Sequence, residues 1–194
     1  SSDNAFKYTL NKGTNADNYV ITQKYGTLTV TNRSEKEKFE ITVKANSVNA
    51  PYDGKEHEAA GFETTEFTEN EQKYTVSGLT TESPKKTNAG TYTNNISGTA
   101  VVKDKDGNDV TAQFTVKTEN GNLVINKRAV TMTSKSASKT YDGTALTKHE
   151  VTETGEGFVD GEGATYSYTG SQTLVGSSDN AFKYTLNKGT NADN

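Results

Sequence analysis

The sequence predicts an all-β protein made of small antiparallel sandwich modules in tandem. Three observations carry that reading: a long internal repeat, strand-like alternation of apolar residues, and the lack of any helical period. The repeat is an identity. Residues 1–18 read SSDNAFKYTLNKGTNADN and residues 177–194 repeat all eighteen in order, which sets a period of 176 residues. The alternation is short and recurrent: Ile41/Val43, Tyr74/Val76, Thr91-Tyr92-Thr93, Phe114/Val116 and Leu123/Ile125 are β-branched or aromatic runs bounded by Gly, Asn and Asp. No stretch of twelve residues keeps apolar side chains at i, i+3, i+4 and i+7, and Thr, Asn and Gly are frequent throughout. Long helices are not expected.

A weaker repeat inside the long one sets the domain organisation. Residues 39–54 (FEITVKANSVNAPYDG) align without gaps on residues 128–143 (RAVTMTSKSASKTYDG), with Tyr52-Asp53-Gly54 falling on Tyr141-Asp142-Gly143. Tyr19, Ile21, Gly26, Leu28 and Val30 match Phe114, Val116, Gly121, Leu123 and Ile125 at a constant offset of 95. Each module therefore opens with an alternating strand and a Tyr-Asp-Gly turn, and closes with a Tyr or Phe strand, a Gly and a Leu-x-Val/Ile strand. Residues 1–33 read as the C-terminal part of a first module type and 34–38 (SEKEK) as a charged connector. Residues 39–127 read as one complete module of a second type, and 128–194 as the N-terminal part of the first type. The chain is expected to be a window on a longer array. Because residues 128–194 lack the closing segment found at residues 19–30, they are expected to fray or to take that strand from a neighbouring molecule. No Gly or Pro interrupts the path from Ile125 through Lys127-Arg128 to Val130, which predicts end-to-end modules in an elongated rod.

Composition narrows the function. Only 30% of residues are hydrophobic and 24% are charged, a balance that suits disorder unless periodicity is present, as it is here. Ten Tyr and seven Phe, with no Trp or Cys, must supply the large apolar surface of thin cores. The absence of Cys excludes disulfide scaffolds, thiolate metal sites and thiol catalysis. A net charge of −4 without a basic stripe speaks against nucleic acid as a partner, and no apolar run is long enough to insert in a membrane.

The Tyr-Asp-Gly turn after a first alternating strand, with the downstream Asn18-Tyr19-x-Ile21 and Gly26-x-Leu28-x-Val30, resembles the YDG/MBG-type repeats of large bacterial cell-surface proteins, including mucin-binding adhesins. Asn88-Ala89-Gly90-Thr91-Tyr92 is also similar to the turn before a late strand of Ig-like domains, with Asn88 where those carry Asp. The resemblance implies Ig-like or β-grasp-like sandwiches in an extracellular stalk, with neighbouring repeat modules as partners. It implies either a spacer that projects a distal binding domain or an adhesive module for host glycan or mucin. For want of any nucleophile, metal or acid–base constellation in the sequence, no enzyme activity and no cofactor are expected.

The candidate sites each have a structural and a chemical reading. The two Tyr-Asp-Gly triplets suit an anchored tight turn with φ > 0 at Gly. Asp104, Asp106, Asn108 and Asp109 alternate around Gly107 like a calcium loop but lack the later bidentate Glu, so a hairpin turn is favoured. Tyr166 and Tyr168 share one strand face and suit either sugar stacking or a core-facing pair. Lys44 and Asn126, on a first and a last strand, are candidates for a Lys–Asn cross-link. His57 and His149 fall at different places in their modules and have no catalytic neighbours, so exposed single histidines are expected.

Overall fold

A computed structural model describes all 194 residues. The chain is all-β, with sixteen strands, two 3-10 turns and no α-helix. At the N-terminus β1 (Ser2–Asn4) pairs antiparallel with β2 (Gly26–Leu28), and a 3-10 turn at Ala16–Asn18 lies between them.

In residues 39–127 the opening strand comes in two pieces, β3 (Phe39–Lys44) and β4 (Val48–Pro51). Then follow β5 (His57–Glu58), β6 (Glu66–Glu69), β7 (Gln72–Thr81), β8 (Lys85–Lys86), β9 (Gly90–Asn94) and β10 (Ile96–Asp104). A second 3-10 turn at Thr111–Gln113 precedes the closing strand, again in two pieces: β11 (Phe114–Glu119) and β12 (Gly121–Asn126). The C-terminal residues form two antiparallel pairs: β13 (Val130–Ser134) with β14 (Val151–Gly155), and β15 (Ala164–Tyr168) with β16 (Phe182–Leu186).

The expectation of wholly antiparallel pairing fails where the opening and closing strands of residues 39–127 meet. β3 runs parallel to β11 and β4 parallel to β12, with Phe39 opposite Phe114 and Val48 opposite Leu123. Both pairs keep one register, so together they form a single parallel ladder with a step in the middle. A parallel pair needs a long crossover, and the strands between β4 and β11 supply it. At the step the backbones nearly touch: a Cβ on Gly121 would lie 2.2 Å from the Asn46 carbonyl oxygen. Only glycine fits there.

The step divides the core in two. Ile41, Val43 and Phe114 pack with Val76 and Val102 of the β6–β7–β10 sheet, while Leu123 and Ile125 pack with Tyr52 and Ala59 beside β9. Phe114 also meets Tyr74 edge-on at 4.8 Å and Phe39 at 5.4 Å. The β6–β7 hairpin turns on Asn70 and Glu71, both at positive φ, as a two-residue turn matched to strand twist requires. Of the thirteen buried residues, twelve lie in 39–127 and one, Gly163, in 128–194. Residues 1–33 bury none.

Candidate functional site

The two Tyr-Asp-Gly turns share their local chemistry. Asp53 accepts a hydrogen bond from the Lys55 backbone N–H at 2.9 Å, and Asp142 accepts the same bond from Thr144 at 2.9 Å. Gly54 and Gly143 both sit at φ +77°. Each carboxylate closes its own turn, which is why Asp serves here. The Lys55 N–H bond, helped by His57 3.0 Å away, holds the Asp53 carboxyl below its usual range. Lys139, with the Thr144 donors, holds Asp142 well below it.

Their tertiary fates differ. Tyr52 is 4% exposed, packed with Leu123 and Ile125, and its hydroxyl donates to the Glu162 carboxylate of the C-terminal segment. That bond, with desolvation second, pushes its pKa up. Gly54 lies beneath Val159, whose Cγ2 would be 3.3 Å from an added Cβ. Asn194 adds two bonds nearby: its side chain accepts from the Ala89 N–H at 2.9 Å, and its carbonyl accepts from the Arg128 N–H at 2.7 Å. The first triplet is therefore a joint between two parts of the chain. Tyr141 is 61% exposed and touches no such partner.

The remaining candidates are engaged in structure. Asp104 accepts bonds from the N–H groups of Asp106 and Asn108 and from the Asn108 side chain, Asp109 caps Thr111, and Lys105 pairs with Asp106. Gly107 takes positive φ at the bend, so the carboxylates serve a hairpin loop. No group of three His, Cys, Asp or Glu side chains converges as a metal site. Tyr166 donates to Glu153 at 2.5 Å and meets Phe182 edge-on, while Tyr168 stacks on His149 at 4.9 Å. Both residues are half-buried, and desolvation lifts the Tyr166 hydroxyl to about 12. His149 is thus a packing partner, and His57 a turn partner. Lys44 pairs with Glu119 while Asn126 bonds Asn49, seven residues further along the ladder, so the two do not meet.

One recurrent contact escaped the sequence comparison. The buried Asn94 side chain donates to the Asn46 carbonyl at 3.1 Å, and Asn180 donates to the Lys135 carbonyl at 2.9 Å. Lys135 is the counterpart of Asn46. Likewise the bridge Leu146↔Gln172 stands where β5 meets β8 at His57↔Lys86. The signal was Gly-x-x-x-Asn, Gly90 to Asn94 and Gly176 to Asn180, with φ of +155° and +143° at the glycines. A loop three residues shorter in the second copy hid it from an ungapped alignment.

Two grooves follow from these correspondences. One, about 500 Å³, is lined by residues 136–139 and 170–180 together with Tyr141, Leu146 and Lys148. The other, about 180 Å³, is lined by Val130, Met132, Tyr184 and Leu186. No helix is long and apolar enough to cross a membrane. Compared with known proteins, the chain matches no family model, no curated protein and no solved structure.

Proposed function

We propose that this chain is a structural stalk or spacer repeat of an extracellular bacterial surface protein, serving to hold a distal binding domain away from the cell. The observation that supports this reading most is the use made of Tyr52. In its first copy the Tyr-Asp-Gly motif ends in a core contact and a bond to the next segment rather than at an open surface. A spacer needs stiff joints, and the Tyr52–Glu162 bond, Gly54 under Val159 and the Asn194 bonds to Ala89 and Arg128 form such a joint without a flexible linker. Tyr166 and Tyr168, the residues on which a sugar-binding role would rest, instead meet Phe182 edge-on and stack on His149, respectively.

Small-angle scattering together with a glycan and mucin array tests this. An extended particle that binds nothing on the array is the expected result. A compact particle, or glycan binding lost in Tyr166→Ala, would replace the spacer with an adhesive module.

A further inference from the structure

We propose that residues 128–140 and 176–180 form an acceptor for the segment 19–31 of a second copy of this chain, inserted parallel to β13. Two registers, read from different parts of the molecule, converge on this. The first is the parallel ladder of residues 39–127. Moving its opening strand by 89 onto residues 128–140 and its closing strand by 95 onto residues 19–31 sets Tyr19 opposite Arg128, Ile21 opposite Val130 and Leu28 opposite Ala137. The second is the β1–β2 pair. Ser2↔Leu28 and Asn4↔Gly26 repeat the β9–β12 pairing of Tyr92↔Leu123 and Asn94↔Gly121. Residues 2–4 recur as 178–180, so Leu28 belongs opposite Ser178 as well as opposite Ala137. The larger groove lies between these two positions.

The chemistry of the edge agrees. Lys135 donates to Glu150 across the β13–β14 pair at 3.0 Å, so in an antiparallel ladder the alternate residues Val130, Met132 and Ser134 address the opposite edge. In the central ladder the residue matching Ser134 is Ala45, whose N–H donates to Glu119 of the closing strand at 2.9 Å. Leu123 is fully buried where Leu28 is 53% exposed, and Tyr52 is buried where Tyr141 is exposed. Seating Leu28 beside Tyr141, and Tyr19 in the smaller groove over Val130 and Met132, covers both faces at once.

Residues 19–31 of the same copy cannot reach this acceptor. Asn32 and Arg33 bond Gln113 at the Phe39 end of the central ladder, while Arg128 follows from its far end. The twelve residue steps from Phe39 to Pro51 cover about 40 Å, and residues 32–38 span at most about 25 Å.

The test adds a peptide of residues 19–33 to the intact chain and follows amide exchange and NMR line widths. Protection of the Val130, Met132 and Ser134 amides is expected, and a spin label on the peptide's N-terminus should broaden signals near Arg128. A Gly26→Val peptide should bind at least tenfold more weakly. By the Gly121 template its side chain meets the carbonyls of Ser134 and Lys135, although in the free segment nothing lies within 4 Å of that position. Absence of protection at millimolar peptide, broadening at Thr140 instead of Arg128, or equal binding of the Gly26→Val peptide would each overturn the proposal.

Discussion

Tyr52 and Tyr141 occupy the same position in two copies of one turn, with the same Asx bond and the same glycine φ, yet one is a core residue and the other lies in solvent. The turn is set locally. Burial is set by whether a closing strand lies alongside, as β12 does for Tyr52. Burial energy and backbone conformation are thus separable in this chain, and paired substitutions measure the separation.

The largest contrast is expected at the closing strand itself. Leu123→Ala removes a fully buried side chain from the second core and should cost about 2–5 kcal/mol in denaturant unfolding of the central segment, whereas Leu28→Ala should cost close to nothing. Tyr52→Ala should follow at about 3 kcal/mol, with Tyr141→Ala near zero; equal losses at the two tyrosines would break the comparison. Gly121→Ala forces a Cβ into the Asn46 carbonyl and should cost about 1–3 kcal/mol in the same assay, against no measurable loss for Gly26→Ala. Asn94→Ala leaves the Ser83 N–H and the Asn46 carbonyl without their partner and should cost about 1–3 kcal/mol.

The smallest effect is a pH dependence. Lys135 and Lys148 together hold the Glu150 carboxyl at about 2, below its ordinary 4.5. Because the folded pKa is depressed, this contribution is present above the ordinary value and is lost as pH falls toward 2. Hydrogen exchange across the β13–β14 ladder should quicken over that interval. Lys135→Gln and Lys148→Gln together should flatten this dependence, because the depression that produces it is gone.

Much of this was legible in the sequence because it is local. The period-two runs at Ile41/Val43 and Leu123/Ile125 became strands with those residues buried, and Asp104 to Asp109 became a hairpin loop. What stayed hidden depends on distant partners. Nothing in residues 39–51 says whether the strand alongside runs parallel or antiparallel, since both directions bury the same alternate face. Nor does Tyr-Asp-Gly disclose that Tyr52 reaches Glu162, since that contact spans 110 residues. The Asn94 and Asn180 correspondence was obscured by a change in loop length, which ladders tolerate and ungapped alignments do not.

The pairing of β1 with β2 has a kinetic consequence. Ser2–Asn4 and residues 178–180 are the same three residues, and they offer the same edge of the Gly26–Leu28 strand chemically identical neighbours. Exchange of one for the other is degenerate in pairing energy, and concentration breaks the tie. A tether of residues 5–25 gives β1 an effective concentration in the millimolar range, so at dilute protein the local copy holds the strand and acts as a competitive guard against mispairing. At high protein concentration that guard weakens, and strands can be traded between molecules without any loss of fit.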